Sequence, residues 1–215
     1  MGLDLVVEGC PRPGHEEEWR RILARSFDGE EGAEQDQPRF VEISIPPYER
    51  IGAPRVGVDK AADDWIVQAS KANTPEQIAE VLNEFRGYYV LRLVKCDGIP
   101  EYSNGGAYEG VDETSFRGAF LSDCTDVLEP GTIEAAWTHR FPEDAIEYGQ
   151  TLLAAARFPT VPPRQESKPG FLARLTGAKE KPGPVPLEEQ LKIVESAGRW
   201  FVFWGERGHA IRAWF

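Results

Sequence analysis

Cys96 and Cys124 are the residues of this chain whose type and setting suggest nucleophilic chemistry. Each closes a stretch that reads as a strand, and each stands beside an aspartate, Asp97 or Asp123. A catalytic cysteine acts as its thiolate, so it needs a nearby histidine or a helix N-terminus to depress its pKa. His15, His139 and His209 are the histidines available, and His139 is the one taken here as a partner. These residues define one expectation, a small hydrolase or transferase that uses Cys96 or Cys124 with Asp97, Asp123 or His139. The opposing expectation is that free cysteines at strand ends are small buried hydrophobes.

A second candidate is the stretch from Cys96 to Gly118, rich in glycine and too polar to pack as a regular element. Long loops inside compact domains often serve binding. Tyr102, Asn104, Tyr108, Asp112, Glu113 and Arg117 offer donors, acceptors and aromatic faces, and the glycines between them allow close backbone approach. The plain alternative is an irregular surface loop in which Asn104-Gly105 is a turn.

Other chemistries find no support in the spacing. CxxC and HExxH are absent, and Cys10 with His15 has no second ligand pair nearby, so no metal site is expected. GxGxxG, GxxxxGK[ST] and GxSxG are also absent, and no cofactor is expected. The 36 acidic and 24 basic residues give a net charge of −12, which repels nucleic acid and anionic membranes. The charge is uneven: residues 1–150 hold 30 acids and 14 bases, and residues 151–215 hold 6 and 10. A basic protein partner or a small molecule is the expected ligand, and nothing in the residues fixes an oligomeric state.

The elements that must position these residues follow from periodicity. Leu3, Leu5 and Val7 alternate as in a strand. Trp19, Ile22, Leu23 and Phe27 recur at helical spacing behind three glutamates, Glu16 to Glu18, that suit a helix N-terminus. Phe40 to Ile45 and Tyr88 to Val94 read as strands, as does Ala119 to Leu121. Ala61 to Ala69 reads as a helix, and Thr74, Pro75 and Gln77 open another that Gly87 stops. A short helical patch at Ile133 to Trp137 precedes a helix opened by Pro142. Residues 158–186 alternate prolines with bases and read as a linker or surface excursion. Beyond it, Leu187, Leu191 and Val194 suggest a short helix stopped by Gly198. RWFVFW and AIRAWF around Gly205 to Gly208 then suggest a hairpin.

The resulting expectation is a single α+β domain over 1–157 and 187–215, with 158–186 as the Pro-rich basic linker. Its sheet is mixed or mainly antiparallel, helices pack on it, and a C-terminal β-hairpin lies in the core. No apolar run approaches the roughly 20 residues of a membrane span. An odd number of cysteines and an N-terminus without a signal-peptide pattern point to a soluble cytoplasmic protein. The leading functional expectation is a binding or interaction protein, in one version an acidic, immunity-type neutraliser of a basic partner.

Overall fold

The computed structural model describes residues 3–90, 93–94, 111–112, 114–158 and 185–215. In chain order its elements begin with β1 (Asp4–Val7), β2 (Cys10–Pro11), α1 (Glu16–Phe27), α2 (Gln37–Ile43) and β3 (Ser44–Ile45). Next come α3 (Pro47–Arg50), α4 (Lys60–Ser70) and α5 (Pro75–Glu84), then β4 (Val111–Asp112) and β5 (Ser115–Phe116). The chain ends with α6 (Pro130–Ala135), α7 (Pro142–Arg157), α8 (Leu187–Glu206) and β6 (Ile211–Trp214). The fold is α+β, and its residues fall into two compact units, Met1–Val7 with Ile99–Phe215, and Glu8–Gly98.

The unit containing both ends of the chain is built on an antiparallel sheet ordered β4-β5-β1-β6. Leu5 lies opposite Phe116 on one side and Ala213 on the other, and Asp4 lies opposite Trp214. The period-two pattern buries Leu5, Val7, Ile211 and Ala213 and leaves Asp4, Val6 and Arg212 half-buried. The buried Phe116 ring meets Trp200 of α8, with ring centroids 6.0 Å apart.

The packing of α7 against α8 depends on three glycines. A Cβ on Gly149 would sit 2.8 Å from the Gly198 carbonyl, and one on Gly198 would sit 2.9 Å from the Gly149 carbonyl. A Cβ on Gly205 would sit 2.8 Å from the Pro142 carbonyl. The two helices therefore approach at backbone distance, and only residues without a side chain fit at the contact.

The C-terminal hairpin expected from the sequence is not formed. Trp200 to Trp204 lie within the 20-residue helix α8, and β6 pairs with β1 from the other end of the chain. A five-residue apolar run is compatible with a strand or a helix buried on most sides. Here it is the helix: Ile193, Ala197, Trp200 and Trp204 form one buried row, and Val194, Gly198, Phe201 and Gly205 another. Gly198 consequently lies mid-helix, where it serves packing rather than termination. Residues Ala119 to Leu121 belong to a 3-10 helix over Gly118–Asp123 instead of a strand. Its first residue abuts the start of β1, since a Cβ on Gly118 would meet Leu3 at 2.6 Å and Leu5 at 3.1 Å.

The other unit, Glu8–Gly98, is mostly helical. On α1, Trp19 stacks on Phe40 of α2 at 6.4 Å, and its indole Nε1 donates to the Gly9 carbonyl at 2.8 Å. Phe40 to Ile43, expected as strand, finish α2, and only Ser44–Ile45 pair with β2. Burying Phe40 and Ile43 on one helical face decides this, because the two are three positions apart. A second core joins Val56, Ala62, Ile66 and Val90 to Trp65, Val81, Leu82 and Phe85. Helix α5 opens as expected, with Thr74 Oγ1 accepting from the Gln77 amide and Gln77 Oε1 accepting from the Asn73 amide. Of Tyr88 to Val94, Tyr89 forms an isolated bridge with Arg55, and residues 91 and 92 lie outside the described ones. Among the described residues, no helix is long and apolar enough to cross a membrane.

Candidate functional site

Arg140 organises the turn between α6 and α7. It is the one base between residues 122 and 150, a stretch with seven carboxylates, yet its side chain is directed inward and the residue is 6% exposed. Its guanidinium donates to the carbonyls of Thr138 and Ala135 and lies 3.8 Å over the Tyr148 ring. The last carbonyls of a helix lack intrahelical donors, and a cation there also meets the negative end of the helix dipole. Burial pulls the Arg140 pKa down from its ordinary value, while Tyr148 and Asp144 act in the opposite direction. Burial likewise raises the Tyr148 hydroxyl to about 12. That hydroxyl donates to the Thr132 carbonyl at 2.9 Å, which fixes α6 to α7 a second time.

The turn thus held lies along the outer edge of β6. Arg140 and Ile211 exchange both backbone hydrogen bonds at 2.8 Å. One residue earlier, His139 Nδ1 accepts from the Ala213 amide at 3.1 Å. Two donors that an edge strand would otherwise leave open are satisfied in this way. Trp137, at the start of the same turn, packs edge-on against Phe215 with centroids 5.5 Å apart. Trp137 is 40% exposed, Trp214 62% and Phe215 66%. Trp137 and Phe215 are therefore an exposed aromatic pair, and Trp214 is exposed separately at the end of β6.

The residues singled out from sequence fall in different places. Cys96, Asp97, Tyr102, Asn104, Tyr108 and Glu113 lie outside the described residues, as do 159–184 of the proline-rich segment. Asp112 pairs through its backbone with Ser115 across the β4–β5 turn. Arg117 Nε donates to Asp4 Oδ1 at 2.9 Å, so its charge is engaged by β1.

Cys124 is fully buried. Its thiol lies 3.3 Å from the Phe120 carbonyl and 3.7 Å from that of Gln190, where it donates to main-chain oxygens. Burial, reinforced by the neighbouring Asp123 carboxylate, pushes its pKa up to about 12. Asp123 thus opposes formation of the thiolate. His139 is engaged by the Ala213 amide on β6, and no contact joins it to Cys124 among the described residues. No group of three or more His, Cys, Asp or Glu side chains among the described residues is placed to hold a metal ion.

Arg140 and the trio Trp137, Trp214 and Phe215 were not singled out from the sequence. Arg140 had a legible signal, since a lone base amid seven carboxylates is conspicuous. Trp137 had none, because its meeting with Phe215 depends on a pairing between distant segments. Compared with known proteins, the chain matches no family model, no curated protein and no solved structure.

Proposed function

We propose that this protein is a binding protein that recognises, and through its charge neutralises, a basic protein partner. The observation that carries this reading is the charge of residues 122–150. Seven carboxylates stand there against a single base, and that base is buried on carbonyl oxygens. Asp123, Glu129, Glu134, Glu143, Asp144 and Glu147 are all exposed. In residues 8–98, Arg39 bonds Glu18 and Glu42, Arg25 bonds Glu30 and Asp36, and Lys60 bonds Asp64. A surface of one sign attracts a partner of the other and excludes like-charged ones.

The test is a native mass spectrum of the protein purified gently from its own host, followed by salt titration of any complex found. A basic partner is expected whose affinity falls steeply with salt. Replacing Glu134, Asp144 and Glu147 by lysine together should weaken binding at least tenfold and flatten that dependence. A partner of acidic or neutral surface, or one whose affinity ignores salt and these substitutions, removes the reading.

A further inference from the structure

We propose that His139 is a pH-sensitive latch on the outer edge of β6: its neutral ring closes the turn between α6 and α7 against the strand, and its imidazolium opens it. The proposal is independent of the basic-partner reading above. Its basis is the direction of one hydrogen bond. His139 Nδ1 accepts from the Ala213 amide at 3.1 Å, and a backbone N–H can only donate. The ring therefore holds its lone pair at Nδ1 and carries its proton on Nε2. Protonation would set two N–H groups against each other at that contact, so the closed turn and the charged ring exclude one another.

The charged and titratable groups on the elements that meet at His139 act in both directions. Arg140, next in the chain, and Arg212, next to Ala213 on β6, disfavour a further cation. Glu134 on α6, with Glu143 and Asp144 in the first turn of α7, are exposed and favour one. At the end of α8, Glu206 is exposed and Arg207 donates to the Phe203 carbonyl. His209, between α8 and β6, is fully buried, with its ring at right angles to that of Trp204. Whatever the balance of these charges, the Ala213 amide needs the Nδ1 lone pair, and a charged ring has none.

The other anchors of the turn do not depend on that charge. Arg140 exchanges backbone bonds with Ile211, and its guanidinium holds the carbonyls of Thr138 and Ala135. The turn therefore pivots on Arg140 and opens at its other end, where Trp137 packs edge-on against Phe215, and the Ala213 amide becomes an open donor on a strand edge. Histidine changes charge between about pH 8 and pH 5. The closed form favours the neutral ring, so closure is complete at the alkaline end of this window and is lost as pH falls.

The experiment follows the full-length 15N-labelled chain by NMR across that window. At the alkaline end the His139 ring should show an unprotonated Nδ1 and a proton on Nε2. On acidification the Ala213 amide signal should shift with the same midpoint as the His139 ring. Its protection from exchange, corrected for the intrinsic effect of pH, should fall about fivefold, while the amides of β1, flanked by strands on both sides, keep theirs. His139→Asn, whose side-chain oxygen accepts without titrating, should keep Ala213 protected throughout, and His139→Leu should leave it unprotected at both ends. A proton on Nδ1 at the alkaline end, an Ala213 amide indifferent to pH, or full protection in His139→Leu overturns the latch. So does the same acid response in His139→Asn, which would assign it to His15 or His209. Loss of protection through the whole sheet at once overturns it too, because acid would then unfold the unit rather than open its edge. Each of these outcomes leaves the basic-partner reading as it was.

Discussion

Arg140 shows how a single charged side chain can be structural in a stretch of sequence otherwise rich in carboxylates. Its buried guanidinium satisfies two carbonyls and caps the end of α6, so an apolar replacement leaves both oxygens without that donor. Arg140→Met should destabilise the protein by about 2–4 kcal/mol in urea denaturation, and Arg140→Lys, with one ammonium in place of a planar fork, should recover only part of that. Cys124 behaves in the opposite sense to a nucleophile. Alkylation at pH 6 should leave it unmodified while the protein is folded and label it rapidly once unfolded; fast labelling of the folded protein would restore it as a catalytic candidate. Its pKa and that of Tyr148 are both raised, from 9.0 and 10.0, each to about 12. The unfolded chain therefore releases these protons first, so their contribution to stability is complete below pH 9 and is lost as pH rises toward 12. The denaturation midpoint should fall across that window, less steeply in Cys124→Ala. The sequence made Cys124 and His139 visible as residue types. It did not reveal burial or hydrogen-bond partners, and these decide what a thiol or an imidazole can do.

At the scale of elements, the contact between α7 and α8 reverses an ordinary rule. Glycine to alanine within a helix normally stabilises by about 1 kcal/mol. At Gly198 the new methyl would meet Leu153 Cγ at 2.8 Å and the Gly149 carbonyl at 2.9 Å. Gly198→Ala should therefore destabilise, by about 1–3 kcal/mol, because overpacking a fixed contact outweighs propensity. A raised melting temperature in this variant would show that the helices can separate without loss. Helices with a clear apolar stripe or a cap, such as α1, α4, α5 and α7, were legible from their residues. So was the alternation of β1. The failures came where tertiary burial overrode local pattern: α8 is apolar on too many sides to show a stripe, and its glycines resemble stops until their neighbours are seen. Phe40 to Ile45 failed for a related reason, since so short an apolar run fits either period until its partners select one.

Across the whole molecule, charge is the property most directly read from composition and the one from which the proposed function follows. Association with a basic partner should be fast at low salt, and stopped-flow rates should fall by at least tenfold as salt rises through the physiological range. A salt-insensitive rate would indicate recognition by shape alone. The α+β class was also legible, because alternation and helical spacing both occur along the chain. The segregation of Glu8–Gly98 into a compact unit of its own was not. Contacts between distant segments leave no periodic signature, and the partnership of β1 with β6 is the extreme case.

That pairing dictates an order of events during synthesis. Strand β1 leaves the ribosome well before β6, since Trp214, the residue opposite Asp4, is made 210 residues after it. The residues of Glu8–Gly98 are contiguous, so their contacts need no segment that is made later. The sheet of the other unit closes only after β6 has emerged, and until then Leu5 and Val7 lack one of their two flanking strands. High contact order of this kind slows folding and prolongs exposure of unpaired strand edges. The nascent chain therefore has its greatest need of chaperone protection while residues 8–210 are being made.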